Sequence, residues 1–581
     1  MKNKSAKYLV GIDLGTTHTV VAYTEADKSK TNQSINIFEI DQLIAPGEVA
    51  SRSLLPSVRY HPADGELSEA DISFSPAGGK AVIGEAAREL GAKTQGRFVT
   101  SAKSWLSHPS VDHTAEILPW GSADEIQKVS PLDASASYLA HVRTVWGYQF
   151  PDAPLEKQTL VITVPASFDE AARSLTLEAA KIAGLKDIRL LEEPQAVCYD
   201  WLRRNTGSIK QALKDVRLLL VCDVGGGTTD LTLIKVEQQG DDEPKLTRIG
   251  VGDHLMLGGD NIDLALAHVA EKRITGGDKK LSAADLSQLL EQCRIAKERL
   301  LADDAPEQSN VTLLGGGSKL IGGSRSAALT KDEVRTMALD GFFPLSGLDE
   351  LPDRKRSGVV EFGLPYAAEP AISKHIAAFL KLHSQAAADA LGHEGRVPDA
   401  LLLNGGVFRS QPITTRTLDL INSWSDQQPT LLENQHPELS VAFGAVSYAM
   451  ARRDKKLKIG GGSARSYFLL VDSDKKDQQQ GVCLLPRGSE EGVEVMLKQQ
   501  QFALRVGQPV RFHLASSTGD TKYQPGEVVE ITEDRFNSLP PLAVAFEGED
   551  KGEITVQLAV TQTEVGTLKI QCVSVSDNKQ R

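Results

Sequence analysis

At 581 residues the chain is too long to bury its apolar side chains in one compact core, so several domains or subdomains are expected. Hydrophobic residues at 41% and charged residues at 24% are ordinary for a globular protein, and a net charge of -13 argues against nucleic acid as the main partner. Cys198, Cys222, Cys293, Cys483 and Cys572 are scattered without a CxxC pair, so neither a disulfide framework nor a zinc site is indicated, and a reduced cytoplasmic setting fits.

No apolar run approaches a membrane span, and the basic start MKNKSAK leads into a run too short for a signal peptide. The first element is a strand, Tyr8–Ile12, with Asp13 at its mouth, followed by Gly15, Thr16 and Thr17 and a second strand. Residues 25–80 are loop-rich, punctuated by Pro46, Pro56, Pro62 and Pro76. A helical stretch opens at Val82, and within it lies Lys103, by residue type alone a solvated surface lysine. Residues 107–130 are irregular, and His108 and His113 read as ordinary surface residues because no acid or cysteine stands at ligand spacing. Leu160–Val164 is a buried strand ended by Pro165. Asp169 starts a helix with an apolar stripe of Leu175, Ala179, Ile182 and Ala183, which Gly184 terminates.

Leu218–Cys222 is again a short apolar run, and Asp223 ends it. Gly225, Gly226 and Gly227 form a turn without Cβ atoms, whose backbone N–H groups can approach an anion. Thr228 and Thr229 add hydroxyls, Asp230 adds a second acid, and a strand resumes with Leu231, Leu233 and Ile234. Acids beside a phosphate repel it unless a cation intervenes, so Asp223 is expected to partner hydrated Mg²⁺. One glycine-rich hairpin is equally well a plain structural turn. Two with the same grammar, facing one another, would grip a polyphosphate and its metal. The commoner nucleotide motifs are missing: Gly79-Lys80 is followed by Ala81, and no GxGxxG joins a strand to a helix.

Farther on, Gly258 and Gly259 lie in GVGDHLMLGGDNID. Ser282–Leu301 reads as a helix, with Ser282 and Asp285 as a near capping box and Leu286, Leu289, Leu290 and Cys293 as its buried face. GGGSKLIGGS, within Val311–Leu329, reads as an exposed hairpin because no acid accompanies it, and residues 340–370 are rich in Pro and Gly without periodicity. Ala400–Arg409 is a third strand and glycine turn. The run from Arg452 to Lys458, followed by Ile459 and Gly460–Ser463, reads as a flexible basic linker. From Tyr467 the pattern alternates with period two, as in Phe502–Val506, Val510–Leu514 and Ile554–Leu558, which implies a β-sandwich.

The paired hairpins GIDLGTTHTVVAY and VCDVGGGTTDLTLI resemble the ATPase superfamily that includes actin, sugar kinases and heat-shock chaperones, and most closely the seventy-kilodalton heat-shock (DnaK-type) chaperones. TVPASFDEAAR, EEPQA, ALLLNGGVFR and PELSVAFGA are similar to further signatures of that family, in order up to Ala445. The resemblance implies an α/β two-lobed actin-like ATPase domain over 1–452, a linker over 453–464 and an all-β peptide-binding sandwich over 465–581. It implies ATP and ADP as ligands with Mg²⁺, and K⁺ as a further candidate ion. Lys103, Glu193, Asp223 and Thr228 would be catalytic, and Asp13, Asp223 and Asp230 would hold the metal. Gly15, Thr16, Thr17, Gly225, Gly226, Gly227, Thr229, Gly258, Gly259, Lys297, Gly405, Gly406 and Arg409 would bind the nucleotide. Pro165 and Arg173 match positions linked to signalling between domains.

The chain departs from the family pattern in several places. Glu192 replaces an asparagine, Arg294 a glutamate, Glu298 an arginine, Leu301 a small polar residue and Val407 a serine, and the linker lacks the usual leucine-rich acidic run. The chain stops soon after Val575, without the family's helical lid, which implies fast release of peptide. Implied partners are unfolded or extended polypeptides, a J-domain co-chaperone at Arg189 and a nucleotide exchange factor, with no nucleic acid and no membrane. A metabolite kinase of the same superfamily, or a nucleotide-gated scaffold with negligible hydrolysis, remains an alternative.

Overall fold

The computed structural model describes residues 6–575 except 28–33, 73–80, 95, 241, 278, 314–323, 354–358, 362, 426, 455–458, 472–478, 491, 506–508, 533–534, 546–552 and 564–566. The glycine turn at 315–323 and the basic residues 455–458 therefore lie outside the described residues.

Two sheets with one topology organise residues 8–454. In the first, Tyr8–Leu14 pairs antiparallel with His18–Glu25 and parallel with Thr159–Val164, and Ile188–Glu192 continues the parallel edge. In the second, Leu218–Val224 pairs antiparallel with Thr229–Gln239 and parallel with Ala400–Asn404, with Asp242–Val251 and Thr430–Leu432 at the edges. The central strands are apolar on both faces, as strands covered on two sides must be. Leu219 and Val221 face one core, while Leu218, Leu220 and Cys222 face another. The first core lies between the sheets and also takes Leu9, Val20 and Val161 of the first sheet. The outer face of each sheet has its own core, one built on Val10, Ile12, Ile162 and Trp146, the other on Leu220, Leu233, Ile262 and Phe379. We call these the first and second halves.

Two helices fill the space between the sheets. Glu193–Arg204 follows directly from the strand Ile188–Glu192, and Ser440–Asp454 packs across it. The crossing is close enough that a Cβ on Gly444 would lie 1.8 Å from the Ala196 carbonyl oxygen. The second helix runs through 453 and 454, at the start of the stretch expected as linker.

After this helix the chain is all β. Ile459 is buried and its N–H donates to Tyr199 Oη at 3.0 Å. Gly460 pairs with the edge strand of the second sheet, donating to Leu246 O at 2.9 Å and accepting from Arg248 N at 2.9 Å. Two antiparallel sheets follow, one of five strands centred on Ser466–Val471 and one of four around Glu553–Gln562, sharing a core of Tyr467, Leu484, Leu514, Leu558 and Val560. This unit sits on the preceding one. Tyr467 Oη bonds Glu170, Thr518 Oγ1 donates to Asp253 at 3.1 Å, and Asp520 pairs with His383 at 2.9 Å and Arg487 at 3.1 Å.

Gly444→Ala must push the two central helices apart, so it is expected to lower unfolding stability by about 1–3 kcal/mol. Because Ala196 lies one turn from Glu193, the same substitution is expected to weaken ligand binding between the sheets, read by denaturant titration and calorimetry on one sample.

Candidate functional site

The parallel pairs are in register at their carboxyl ends, and this places the chemistry. Asp13 stands opposite Thr163, and Asp223 opposite Asn404. Thr163 Oγ1 donates to Asp13 Oδ1 at 3.1 Å and Asn404 Nδ2 to Asp223 Oδ2 at 2.9 Å. Each acid thus projects from a strand end, where it is held by its neighbour, into a cavity of about 570 Å³ between the halves. Asp13, Gly15, Thr16, Thr17, Lys103, Glu193, Asp223, Gly225, Gly226, Thr228, Gly259, Lys297, Gly405, Gly406 and Arg409 line that cavity.

The two hairpins meet across it. A Cβ on Gly226 would lie 2.0 Å from Thr17 Oγ1, so only glycine allows this approach. Gly258 and Gly259 underlie the second hairpin, where Gly259 N donates to Gly225 O at 3.0 Å and Asp260 N to Gly226 O at 2.7 Å. Thr229 differs from the expected role. Its hydroxyl donates to Leu257 O at 2.7 Å, so it fixes the hairpin and is not free as a ligand donor. Asp230 lies behind the lining residues, accepting from Ser167 N at 3.1 Å.

Lys103 is buried, not solvated, and its ammonium donates to Glu193. Burial works against that charge, but attraction from Glu193 and Asp13 outweighs it and holds the lysine above its ordinary pKa. The acids are pushed the other way. Burial, reinforced by Glu193, raises Asp13 to about 7. Burial raises Glu193 despite Lys103, raises Asp230, and with Glu193 raises Asp223 well above the carboxylate range. Carboxylates held in this way ionise more readily when a positive charge is brought beside them.

The helix Ala283–Leu300 forms the far wall, with Ser282 capping it through Asp285 N. Arg294 lines the cavity, but its guanidinium is engaged in a buried cluster. It reaches Asp260 at 3.0 Å, Asp263 at 3.1 Å and Glu291 at 3.2 Å. Lys297 joins at 2.7 Å from Asp263, and Arg88 of the first half reaches Glu291 at 2.7 Å. Arg294 is therefore neutralised by these buried acids and not by Glu298, which lines the ligand space with Leu301 and Arg409.

Thr163, Asn404, Arg248 and His254 were not singled out from sequence, while Glu192 and His108 were named without their partners. Thr163 and Asn404 follow the same rule as Asp13 and Asp223, a polar residue ending an apolar strand, and could have been found by it. Glu192 is clamped between Arg173, at 2.9 Å, and Arg248, and these two arginines hold it below its ordinary pKa against the effect of burial. His254 bridges Ser107 and Ser167, at 2.8 Å each, and burial lowers it to about 4. His108 is buried and bonded, not a surface residue.

Comparison with protein-family profiles matches the family described as Hsp70 protein over residues 9–315, more than half of the chain. The chain belongs to the Hsp70 protein family. Curated relatives of this Hsp70-family chain include a Chaperone protein HscA homolog of Burkholderia lata, 32% identical over 325 residues, or 54% of this chain and 44% of the relative. The protein of the same name from Bordetella petrii is 31% identical over 314 residues, covering 52% and 43%, and that of Methylococcus capsulatus 32% over 335 residues, covering 56% and 45%. The matched segment thus spans less than half the length of these relatives.

Arg294→Ala would leave Asp260, Asp263 and Glu291 buried without their shared partner. It is expected to cost about 3–5 kcal/mol of unfolding free energy, measured by denaturant titration.

Proposed function

We propose that this chain is an ATP-dependent chaperone of the Hsp70 type, hydrolysing ATP to control its hold on unfolded polypeptide. The observation that carries the reading is the pair of hairpins closing on one hollow lined by Lys103, Asp13, Glu193 and Asp223, in a chain of this family. Residues 1–452 would then form a two-lobed actin-like ATPase domain, 453–464 the linker and 465–581 a β-sandwich for extended peptide.

The residues fit ATP or ADP with Mg²⁺. Asp13 and Asp223 supply the hard oxygen donors that Mg²⁺ prefers. Among the described residues no three acidic, histidine or cysteine side chains converge as direct ligands, which suits an ion held through its waters. When bound, the metal would neutralise phosphate charge and orient the terminal phosphoryl group. Lys103 would stabilise charge developing on that group, and Glu193 would hold the ammonium in place and accept a proton from the attacking water. Thr228, buried at the turn, would orient that water or a phosphate oxygen. K⁺, a J-domain co-chaperone at Arg189, a nucleotide exchange factor and a cytoplasmic location belong to the same proposal. No helix among the described residues is long and apolar enough to cross a membrane.

Coupling to the all-β unit has a short route. Ser167 donates its N–H to Asp230, while its carbonyl accepts from Arg465 at the start of that unit. Arg248, which holds Glu192 beside Glu193, also donates to Gly462 O.

Single-turnover hydrolysis and the affinity for a labelled unfolded peptide test this reading together. The wild type is expected to release inorganic phosphate and to bind peptide more weakly in ATP than in ADP. Lys103→Ala is expected to slow hydrolysis by about 100-fold while keeping ADP affinity within a few-fold. Phosphate transferred to a metabolite, or peptide affinity indifferent to nucleotide, would contradict it.

A further inference from the structure

Lys103 sits on Ala102–Trp105, a single helical turn of four residues. One turn does not persist on its own, because nucleation is not repaid by so few hydrogen bonds. It is also entered through Ser101 at φ 54°, a left-handed conformation unfavourable for a side chain other than glycine. What surrounds the turn must therefore decide where the ammonium points.

Its far end is an aromatic platform. Trp105 is buried, stacks on His108 at 5.3 Å with rings 12° apart, and lies 4.9 Å from Trp120. The second half of the chain reaches this platform. Ala338, Phe342 and Phe343 are seated in the second half's core, Trp424 Nε1 donates to Ser346 O at 2.7 Å, and Arg396 pairs with Asp349 at 2.5 Å. Farther along, Leu364 is 3% exposed within the core of the first half, together with Trp105 and Leu118. The chain then returns, with Ala367 N donating to Met256 O at 3.3 Å.

The contact is specific as well as apolar. His108 Nε2 donates to Gly363 O at 2.8 Å. Its Nδ1 accepts from Ser110 N at 3.1 Å and burial lowers its pKa, so the ring is neutral with its proton on Nε2. Gly363 has φ 77°, and a Cβ there would lie 2.5 Å from Trp105 Cη2 and 2.6 Å from Trp120 Cε2.

We propose that Gly363 and Leu364, delivered from the second half, are positioning residues for Lys103. They brace the turn that carries it through Trp105, Trp120 and His108, so the aim of the ammonium depends on a segment whose preceding residues Phe342 and Phe343 belong to the second half's core. The brace rests on the ATPase reading and adds to it residues that position the lysine from outside the cleft.

The test compares Leu364→Ala, Gly363→Ala and Leu364→Met with the wild type in single-turnover ATP hydrolysis, ADP binding and thermal melting. A misplacement of about 1 Å at a reacting group can cost on the order of 100-fold. Leu364→Ala and Gly363→Ala are therefore expected to lose at least about tenfold in hydrolysis with ADP affinity within about twofold, and Leu364→Met to recover most of the rate. If Leu364→Ala does not fold, Leu364→Val carries the same comparison with a smaller loss. An unchanged rate, or rate and ADP affinity falling together in proportion, overturns the brace. A wild type that binds ADP but hydrolyses no ATP overturns the ATPase reading and the brace with it, whereas normal wild-type hydrolysis with unaffected variants overturns the brace alone.

Discussion

Everything in the cleft depends on one electrostatic imbalance. Glu193, Asp223 and Asp230 are buried, Asp13 stands beside them at the cleft floor, and Lys103 is the one ammonium donating to this group among the described residues. Removing carboxylates from water costs several kcal/mol each, and a lone lysine does not offset four of them. The hollow answers by raising every one of the four pKa values, with burial as the leading cause. Further positive charge at the hollow would favour the ionised carboxylates. An anionic phosphate alone would worsen the imbalance, while a phosphate accompanied by a divalent cation would relieve it.

The same strand ends that carry the acids also carry the connections outward. Asp230 meets Ser167, whose carbonyl meets Arg465 of the all-β unit. Glu193 follows Glu192, which two arginines clamp, one of them bonded to the backbone of Gly462. Each of these links joins a charged side chain to a backbone group or to another charged side chain, and none uses an apolar side chain. A glycine-rich stretch can dock as an added strand when its N–H and C=O groups find an open edge, as Gly460 does against Leu246 and Arg248.

Much of this was legible in the chain. Apolar runs ending in Asp13 and Asp223 and followed by glycine read as strands with acids at their mouths, because burial on both faces leaves no other place for a charge. The period-two pattern after Tyr467 read as all β for an equally local reason. What sequence could not give was any property set by the partner across space. Lys103 looks like a surface lysine until its turn is anchored in the core by Trp105. His108 looks solvated until the Gly363 carbonyl, some 250 positions away, accepts its hydrogen bond. Arg294 and Glu298 look like a swapped ligand clamp, yet Arg294 belongs to an internal ion cluster. The described residues between 340 and 370 offered no periodicity because they are held by two different cores, Phe342 and Phe343 by one and Leu364 by the other, and not by a repeating face of their own.

The measurement that bears most directly on the cleft's charge imbalance is calorimetric titration of ADP into the protein with saturating Mg²⁺ and again with the metal chelated. The account predicts tight binding with Mg²⁺ and binding weaker by at least about tenfold without it, since Asp13, Glu193 and Asp223 then face the diphosphate with no metal between them. Equal affinity in the two conditions would mean that the carboxylates do not meet the phosphates, and would contradict the assignment of this hollow as the site of the nucleotide and its metal.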